Sequence, residues 1–357
     1  MVTEFTPPLI PKNSETHRMP TNTAVWFPTI RTNTGTDVFT KRLVKGLQKN
    51  GIQAEITWLP LRAEYAPWSV STPKAPEWAT IVHVNTWLHP RFLPQRLPVV
   101  ATIHHSIHHA DAQRHKGLRR HFYHKCWVAP IEQSVMKRAD KVVAVSQFVA
   151  DTAKATLVDL PMQVIYNGID TNIFTPGNRV RNPDEPFRLL YVGSWKTLKG
   201  VDLFSEIFRN LGDEFVLYYT GGETAAKDKS RMPDNMHDIG YLHGDAAVAA
   251  ALQNSDALIF PSRAEGFGLV ALEAMACGVP VIASKNSSLV EIIEDGDSGL
   301  LCTTDDVAAM ILAIRKLANN TELYMRLRVG GYTRARTMFN EYLFIQKHLN
   351  LYKQLTQ

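Results

Sequence analysis

At 357 residues, 45% hydrophobic and 20% charged, the chain has a globular composition and is too long for one ordinary core, so two domains of roughly 170 residues are expected. No apolar run approaches the ~18 residues of a membrane span, and the start Met1-Val2-Thr3-Glu4-Phe5 lacks the charged opening and apolar core of a secretory signal. A net charge of +5, spread along the chain without a recognition motif, disfavours nucleic acid, and three widely spaced cysteines (Cys126, Cys277, Cys302) offer neither a disulfide framework nor a Cys-x-x-Cys metal site and fit a reducing cytoplasm.

Residues 1–22, rich in Pro, Thr and Asn, read as a flexible arm. Apolar runs at Ala24 to Phe27, Ile52 to Trp58, Thr80 to Val84, Val99 to Ile103, Lys141 to Val145 and Met162 to Tyr166 predict strands. Between the first two, Asp37 to Lys49 has helical spacing (Val38, Leu43, Leu47) and stops at Asn50-Gly51. The loop Pro28 to Gly35 precedes that helix, and Thr36 or Asp37 suits its cap. Nine of the 13 histidines fall between His83 and His124. The run His104-His105-Ser106-Ile107-His108-His109 invites a metal reading, but no acidic or cysteine partner has recognised zinc spacing. Arg114 to Trp127 alternates basic residues (Arg114, Lys116, Arg119, Arg120, Lys125) with Phe122, Tyr123 and Trp127. Such a helix suits an anionic membrane surface, an anionic acceptor, or a solvated face with its aromatics in the core.

Thr175 to Pro186 reads as a linker. Strands are then expected at Phe187 to Val192, Phe215 to Tyr219, Asp238 to Tyr241, Ala257 to Phe260 and Val279 to Ala283. This alternation predicts two doubly wound α/β domains facing across a cleft, with ligands at the carboxyl ends of the strands. A dehydrogenase is disfavoured because no G-x-G-x-x-G follows the first strand.

The most informative segment runs from Pro261 to Pro280. Glu265, Gly266 and Gly268 fall between a strand (Asp256 to Phe260) and a helix (about Phe267 to Cys277). The unpaired first N–H groups of a helix at Phe267-Gly268-Leu269 suit a phosphate, and the glycines allow close approach. Glu273, two turns in, suits a sugar diol such as ribose. Gly193-Ser194-Trp195-Lys196-Thr197-Leu198-Lys199-Gly200 likewise follows a strand, and Lys199 suits a diphosphate as a point charge. The alternatives are an ordinary strand–loop–helix with an exposed Glu at each end, and a surface lysine.

These residues resemble the retaining glycosyltransferases of family 4, also called group 1. Glu265 to Val281 matches the family's E-G-F-G-x-x-x-x-E-A-M-A-x-G-x-P-V. Asn167-Gly168-Ile169-Asp170 with Phe174 and Pro176, Ala139-Asp140 with Val143 to Ser146, Val192-Gly193 with Lys199-Gly200, and Thr102-Ile103-His104 resemble its other motifs. The resemblance covers roughly residues 20 to 335.

It implies the GT-B architecture: an acceptor-side Rossmann-like domain at 23–176, a nucleotide-sugar domain at 177–337, and a helix within 338–357 crossing back to the first domain. It implies transfer of a sugar, with retention, from a nucleoside diphosphate sugar to a hydroxyl of a glycan or glycolipid acceptor. His104 and Glu265 would contact the transferred sugar, Thr220-Gly221 would lie beside the donor, and Tyr241-Leu242 would hold the base through its backbone, which leaves UDP and GDP undiscriminated. His104 suits either a sugar hydroxyl or the oxygen between sugar and phosphate. Gly35 and Asp37 occupy the acceptor-side loop. No cofactor and no metal is expected. Ser194 stands where the family usually has Arg, so Lys196 or Arg263 supplies the missing charge, or diphosphate binding is weaker. A surface polysaccharide or lipopolysaccharide acceptor, and a place in the cytoplasm or on the inner face of the cell membrane, go with this reading. A non-catalytic nucleotide-sugar-binding or scaffold protein, a sugar phosphorylase or an epimerase would share the fold.

Overall fold

The computed structural model describes residues 23–114, 117–179, 182 and 184–356. The expected arm at 1–22 lies outside the described residues, as do Lys116 and positions 180, 181 and 183 of the expected linker. The chain divides into two compact units: one runs up to Gly168 and resumes at Glu341, the other is Ile169–Asn340.

The first unit contains β1 (Ala24–Ile30), α1 (Gly35–Lys49), β2 (Gln53–Leu59), α2 (Arg62–Tyr65), β3 (Ile81–Asn85), β4 (Val99–Ile103), α3 (Ala110–Arg114), α4 (Leu118–Tyr123), α5 (Ala129–Arg138), β5 (Lys141–Ala144), α6 (Gln147–Thr156) and β6 (Gln163–Val164). Its sheet has the order β2-β1-β3-β4-β5-β6, every pair parallel. β1 and β4 are buried along their whole length, which is why they read as continuous apolar runs rather than alternating ones.

The second unit contains β7 (Phe187–Tyr191), α7 (Phe204–Leu211), β8 (Phe215–Tyr219), α8 (Gly222–Ala225), β9 (Met236–Asp238), α9 (Asp245–Gln253), β10 (Ala257–Phe260), α10 (Leu269–Ala276), β11 (Val281–Ser284), α11 (Leu289–Ile292), β12 (Leu300–Cys302), α12 (Val307–Asn319) and α13 (Thr321–Met338). Its order is β12-β11-β10-β7-β8-β9, again all parallel.

In each sheet the winding direction reverses once, between β1 and β3 and between β7 and β10. Loops leaving the carboxyl ends of such a pair diverge to opposite faces, which opens a crevice for a ligand. The final helix, α14 (Glu341–Thr356), packs into the core of the first unit through Phe344, Ile345, Leu349, Leu351 and Tyr352. It closes on α1 at Gly46, where an added Cβ would stand 2.3 Å from Ile345 Cδ1. The segment from about Asn340 to Leu355 thus contains α14, which belongs to the first unit.

Two local expectations are corrected, and one strand was not expected. The strand expected at Asp238 to Tyr241 lies at Met236–Asp238, because Gly240 has φ +72° and turns the chain there. β12 is a short strand of three residues that apolar periodicity does not single out. The basic segment is not one helix: α3 ends at Arg114, α4 holds Leu118–Tyr123, and a π-type turn His124–Val128 leads into α5.

Candidate functional site

In the second unit the loops after β7 and β10 meet at the reversal point. The first is shaped from below by Tyr191, whose hydroxyl donates to the Ser194 carbonyl at 2.9 Å. Burial, reinforced by the negative charge of Glu265, pushes that phenol well above its ordinary range. From the side, Thr220 Oγ1 accepts from Gly193 N–H at 2.9 Å and donates back to the Gly193 carbonyl at 3.1 Å. Gly200 has φ +74°, and an added Cβ would stand 2.1 Å from the Pro261 carbonyl oxygen, so only glycine lets the loops approach this closely. Arg263 N–H donates to the Leu198 carbonyl at 3.0 Å, and Lys199 Nζ pairs with Glu265 Oε1.

The Glu265 loop is clamped by the segment after β11. Ser287 Oγ accepts from Glu265 N–H at 3.1 Å, and Asn286 Nδ2 donates to the carbonyls of Ser262 and Arg263 at 3.1 and 3.0 Å. Gly268 caps α10 with φ +94°, and the helix starts at Leu269 rather than Phe267. Phe267 is buried against Phe339, while Gly266 and Leu269 are partly exposed. Glu273 is only 6% exposed and the Glu265 side chain 11%, which rules out two ordinary exposed glutamates.

Arg263 does not lend its charge to this mouth. Its guanidinium is 5% exposed and is held by Asp202 (2.7 and 2.9 Å), Asp305 (2.5 Å) and the Thr197 carbonyl. Hydrogen bonds to Asp202, then to Asp305, raise its pKa against the cost of burial. The residue is a strut between loops. Lys196 and Ser194 are exposed on the other loop.

At the next strand pair, Asp238 Oδ1 accepts from the N–H groups of Gly221 (3.0 Å), Gly222 (3.1 Å) and Gly240 (2.8 Å). Tyr241, 55% exposed, lies over Gly222, and Leu242 beside it is partly buried. Thus Gly193, Lys199, Thr220, Gly221, Arg263, Glu265 and Gly268 are brought together at the carboxyl edge, with Tyr241 at its side. Asp238, Asn286 and Ser287, which shape these loops, carry no signal beyond being polar residues at or just after strand ends.

In the first unit a cavity of about 420 Å³ opens at the carboxyl ends of β1, β3 and β4. His104, Asn85, Glu64, Trp87, Tyr65 and the hydroxyls of Thr29, Thr32, Thr34 and Thr36 line it. His104 Nε2 lies 2.7 Å from Asn85 Oδ1, and the ring stands edge-on to Phe39 with centroids 4.4 Å apart. Burial, then His105 and His348, holds its pKa down at about 3, so the imidazole is neutral near pH 7. Gly35 is exposed at the start of α1. Asp37 is 4% exposed and accepts from Thr32 N–H, Asn33 N–H and the Thr32 hydroxyl at 2.8–3.2 Å. Thr34 takes the N-cap position instead of Thr36 or Asp37. Asp37 therefore shapes the loop.

The histidine run is divided among roles. His104 directly follows β4, whereas His108 Nε2 is 2.8 Å from the fully buried Glu132, which also accepts from Thr86 at 2.7 Å. Among the described residues no group of three His, Cys, Asp or Glu is arranged to hold a metal ion. Of the basic segment's aromatics, Phe122 is 69% exposed, while Tyr123 and Trp127 both donate to Glu64.

Two family models match: "Glycosyl transferases group 1" over residues 177–334 and "Glycosyltransferase Family 4" over residues 65–173. A D-inositol 3-phosphate glycosyltransferase of Acidothermus cellulolyticus is 30% identical over 282 residues, 68% of this chain and 60% of that one. An uncharacterized glycosyltransferase of Methanocaldococcus jannaschii is 32% identical over 195 residues, 54% of each chain. The chain thus spans 54–60% of the length of these two curated relatives. Sucrose-phosphate synthase from Thermosynechococcus elongatus superposes with TM-score 0.76 at 19% identity, covering 93% of this chain and 99% of that one. Anabaena HepE, solved with UDP and glucose, superposes with TM-score 0.72 at 16% identity, covering 92% and 100%. At these identities the solved structures establish the shared fold. Among the described residues no helix is long and apolar enough to cross a membrane.

Proposed function

The chain belongs to the group 1 glycosyltransferases and has their GT-B fold, and from that premise we propose that it transfers a sugar, with retention, from a nucleoside diphosphate sugar to a hydroxyl of a glycan or glycolipid. The observation that carries the reading is the meeting of Lys199, Glu265 and the capped start of α10 at the β7/β10 reversal.

Breaking the sugar–phosphate bond puts negative charge on the departing diphosphate and positive charge on the sugar ring. Lys199 and the N–H groups at Phe267-Gly268-Leu269 stabilise the diphosphate, with Lys196 as the further cation on the exposed loop. A diphosphate arriving at Lys199 competes with Glu265 for the ammonium and frees the carboxylate for sugar hydroxyls. Glu265 positions the sugar, and Glu273 accepts from the ribose diol. In a same-face displacement the leaving phosphate oxygen takes the acceptor's proton, so no carboxylate nucleophile is needed. The cavity beside His104, with its hydroxyls, one carboxylate and two aromatic rings, suits a polyhydroxylated acceptor. A surface polysaccharide or lipopolysaccharide is the acceptor class we favour.

The test is thermal unfolding with UDP, GDP and ADP in excess EDTA, on wild type and Glu273→Ala. A ligand at about 100 times its dissociation constant adds about 2.7 kcal/mol to stability. Stabilisation by one nucleotide without metal, lost in Glu273→Ala, supports the reading and names the donor class. No response to any of them moves the non-catalytic scaffold ahead, with Ser194 as the cause.

A further inference from the structure

We propose that Asn85 is a positioning residue for His104: its amide oxygen fixes the imidazole as the Nε2–H tautomer, so that Nδ1 offers a lone pair to a substrate hydroxyl in the cavity. The inference rests on the reading of His104 as a group that touches substrate.

The register of the sheet makes the contact. Asn85 is the last residue of β3 and pairs with Thr102, two residues before His104 at the end of β4. The Asn85 amide has a donor end and an acceptor end, and in the structure the donor end faces Thr29. Asn85 Nδ2 donates to Thr29 Oγ1 at 2.9 Å, and Thr29 is only 3% exposed. That leaves Oδ1 for His104, 2.7 Å from Nε2. A carbonyl oxygen only accepts, so Nε2 carries the hydrogen and Nδ1 the lone pair. The Phe39 ring, edge-on to the imidazole, limits its rotation. Among the described residues Nδ1 has no hydrogen-bond partner, and His104 lines the cavity.

The surroundings keep the ring neutral. The titratable groups that couple to the ring are His105 beside it, His83 on β3 and His348 on α14, while Glu64, Tyr65 and Arg120 line the same cavity. From α1 the ring meets Phe39, which is uncharged. A neutral ring whose open nitrogen only accepts takes a hydroxyl and repels a phosphoryl oxygen. Of the two ligands that suit a histidine here, the geometry assigns His104 the hydroxyl.

The experiment is tautomer-sensitive NMR on the full chain labelled with [15N]histidine, the His104 signals being identified by their loss in His104→Gln. The expected wild-type spectrum shows a protonated Nε2 and an unprotonated Nδ1, and Asn85→Leu shifts the ring towards the other tautomer. A wild-type ring protonated on Nδ1, or an Asn85→Leu spectrum unchanged from wild type, overturns the proposal. If Asn85→Leu does not fold, the wild-type spectrum decides. Turnover, on whichever nucleotide sugar the wild type cleaves, gives a separate readout. Asn85→Leu lowers kcat about tenfold, the equivalent of one hydrogen bond, with donor KM little changed. Asn85→Asp sets a carboxylate against Nε2–H and favours imidazolium, so the acid limb of its activity profile moves to higher pH than that of the wild type. An Asn85→Asp acid limb that coincides with that of the wild type also overturns the proposal. Undiminished turnover in His104→Gln instead sinks the substrate contact of His104, and the spectrum stands apart from that outcome.

Discussion

Lys199 and Glu265, 66 residues apart in sequence, form an ion pair between the loops that leave β7 and β10. The pair places the cation suited to a diphosphate beside the carboxylate suited to a sugar. Lys199→Ala is expected to weaken UDP or GDP binding and to lower turnover by about two to three orders of magnitude, the usual loss for one donor to a developing anion. Glu265→Gln is expected to keep nucleotide binding and lose turnover. Because the two side chains touch, their effects are not additive in the double variant. Calorimetry with the nucleotide and a turnover assay check this. Nucleotide affinity unchanged in Lys199→Ala would sink the diphosphate role.

Gly200 and Gly212 make a controlled comparison. Both have positive φ, +74° and +78°, but an added Cβ meets the Pro261 carbonyl only at Gly200, and open space at Gly212. Gly212→Ala is expected to cost about 1–3 kcal/mol, because φ +78° with ψ −171° is a region open essentially to glycine, and to leave turnover unchanged. Gly200→Ala, at an ordinary left-handed φ and ψ, forces apart the loops bearing Lys199 and Glu265, so it lowers both Tm and turnover. Unchanged turnover in Gly200→Ala would show that the loops do not need this close approach.

Asp37 serves the loop before α1. Its carboxylate takes two backbone N–H groups and one hydroxyl, and hydrogen bonds to a charged group are worth about 1.5–3 kcal/mol net in a buried setting. Asp37→Ala should therefore destabilise the first unit by on the order of 2 kcal/mol, measured by urea unfolding. A variant as stable as wild type but poor in acceptor KM would return Asp37 to direct acceptor contact.

Stability should fall in mild acid. Burial lowers the pKa of His83 well below its ordinary value, that of His104 to about 3 and that of His348 to about 4. The unfolded chain protonates these rings near pH 6.5 while the folded chain does not, so their contribution is complete above that pH and declines as pH falls towards the folded values. Each ring contributes a slope of roughly 1.4 kcal/mol per pH unit in that window. Burial alone would raise the Glu132 carboxyl, but His105, His108 and Thr86 hold it below its ordinary value. It adds a further loss below about pH 4.5. Urea midpoints from pH 8 to 4 check the sign. A midpoint that does not move between pH 7 and 5 would contradict the buried neutral histidines.

Much of this was legible in the chain. Continuous apolar runs such as Val99 to Ile103 mark strands buried on both faces, and the chain's alternation of strands with helices allows little but parallel sheets. Glycines where strand passes to helix, at 193, 200, 266 and 268, mark places where backbone geometry is demanding. Such signals are local, because turn geometry and side-chain periodicity depend on neighbours within a few residues. They sufficed for the fold, the family and the segment that carries Glu265 and Glu273.

The tertiary structure alone decided what those side chains do. Arg263 looked like a spare cation until Asp202 and Asp305, 61 and 42 residues away, were seen to hold it. Asn85 reads as a polar residue just past an apolar strand, yet it governs His104 because β3 and β4 are neighbours in register. Lys199 meets Glu265 because β7 lies beside β10, with β8 and β9 on its other side. The order of strands arises from the packing of whole helices on both faces of a sheet, and no short stretch of residues encodes it. Hydrogen bonds and ion pairs reach only about 3–4 Å, so the partner of each functional side chain is set by that order.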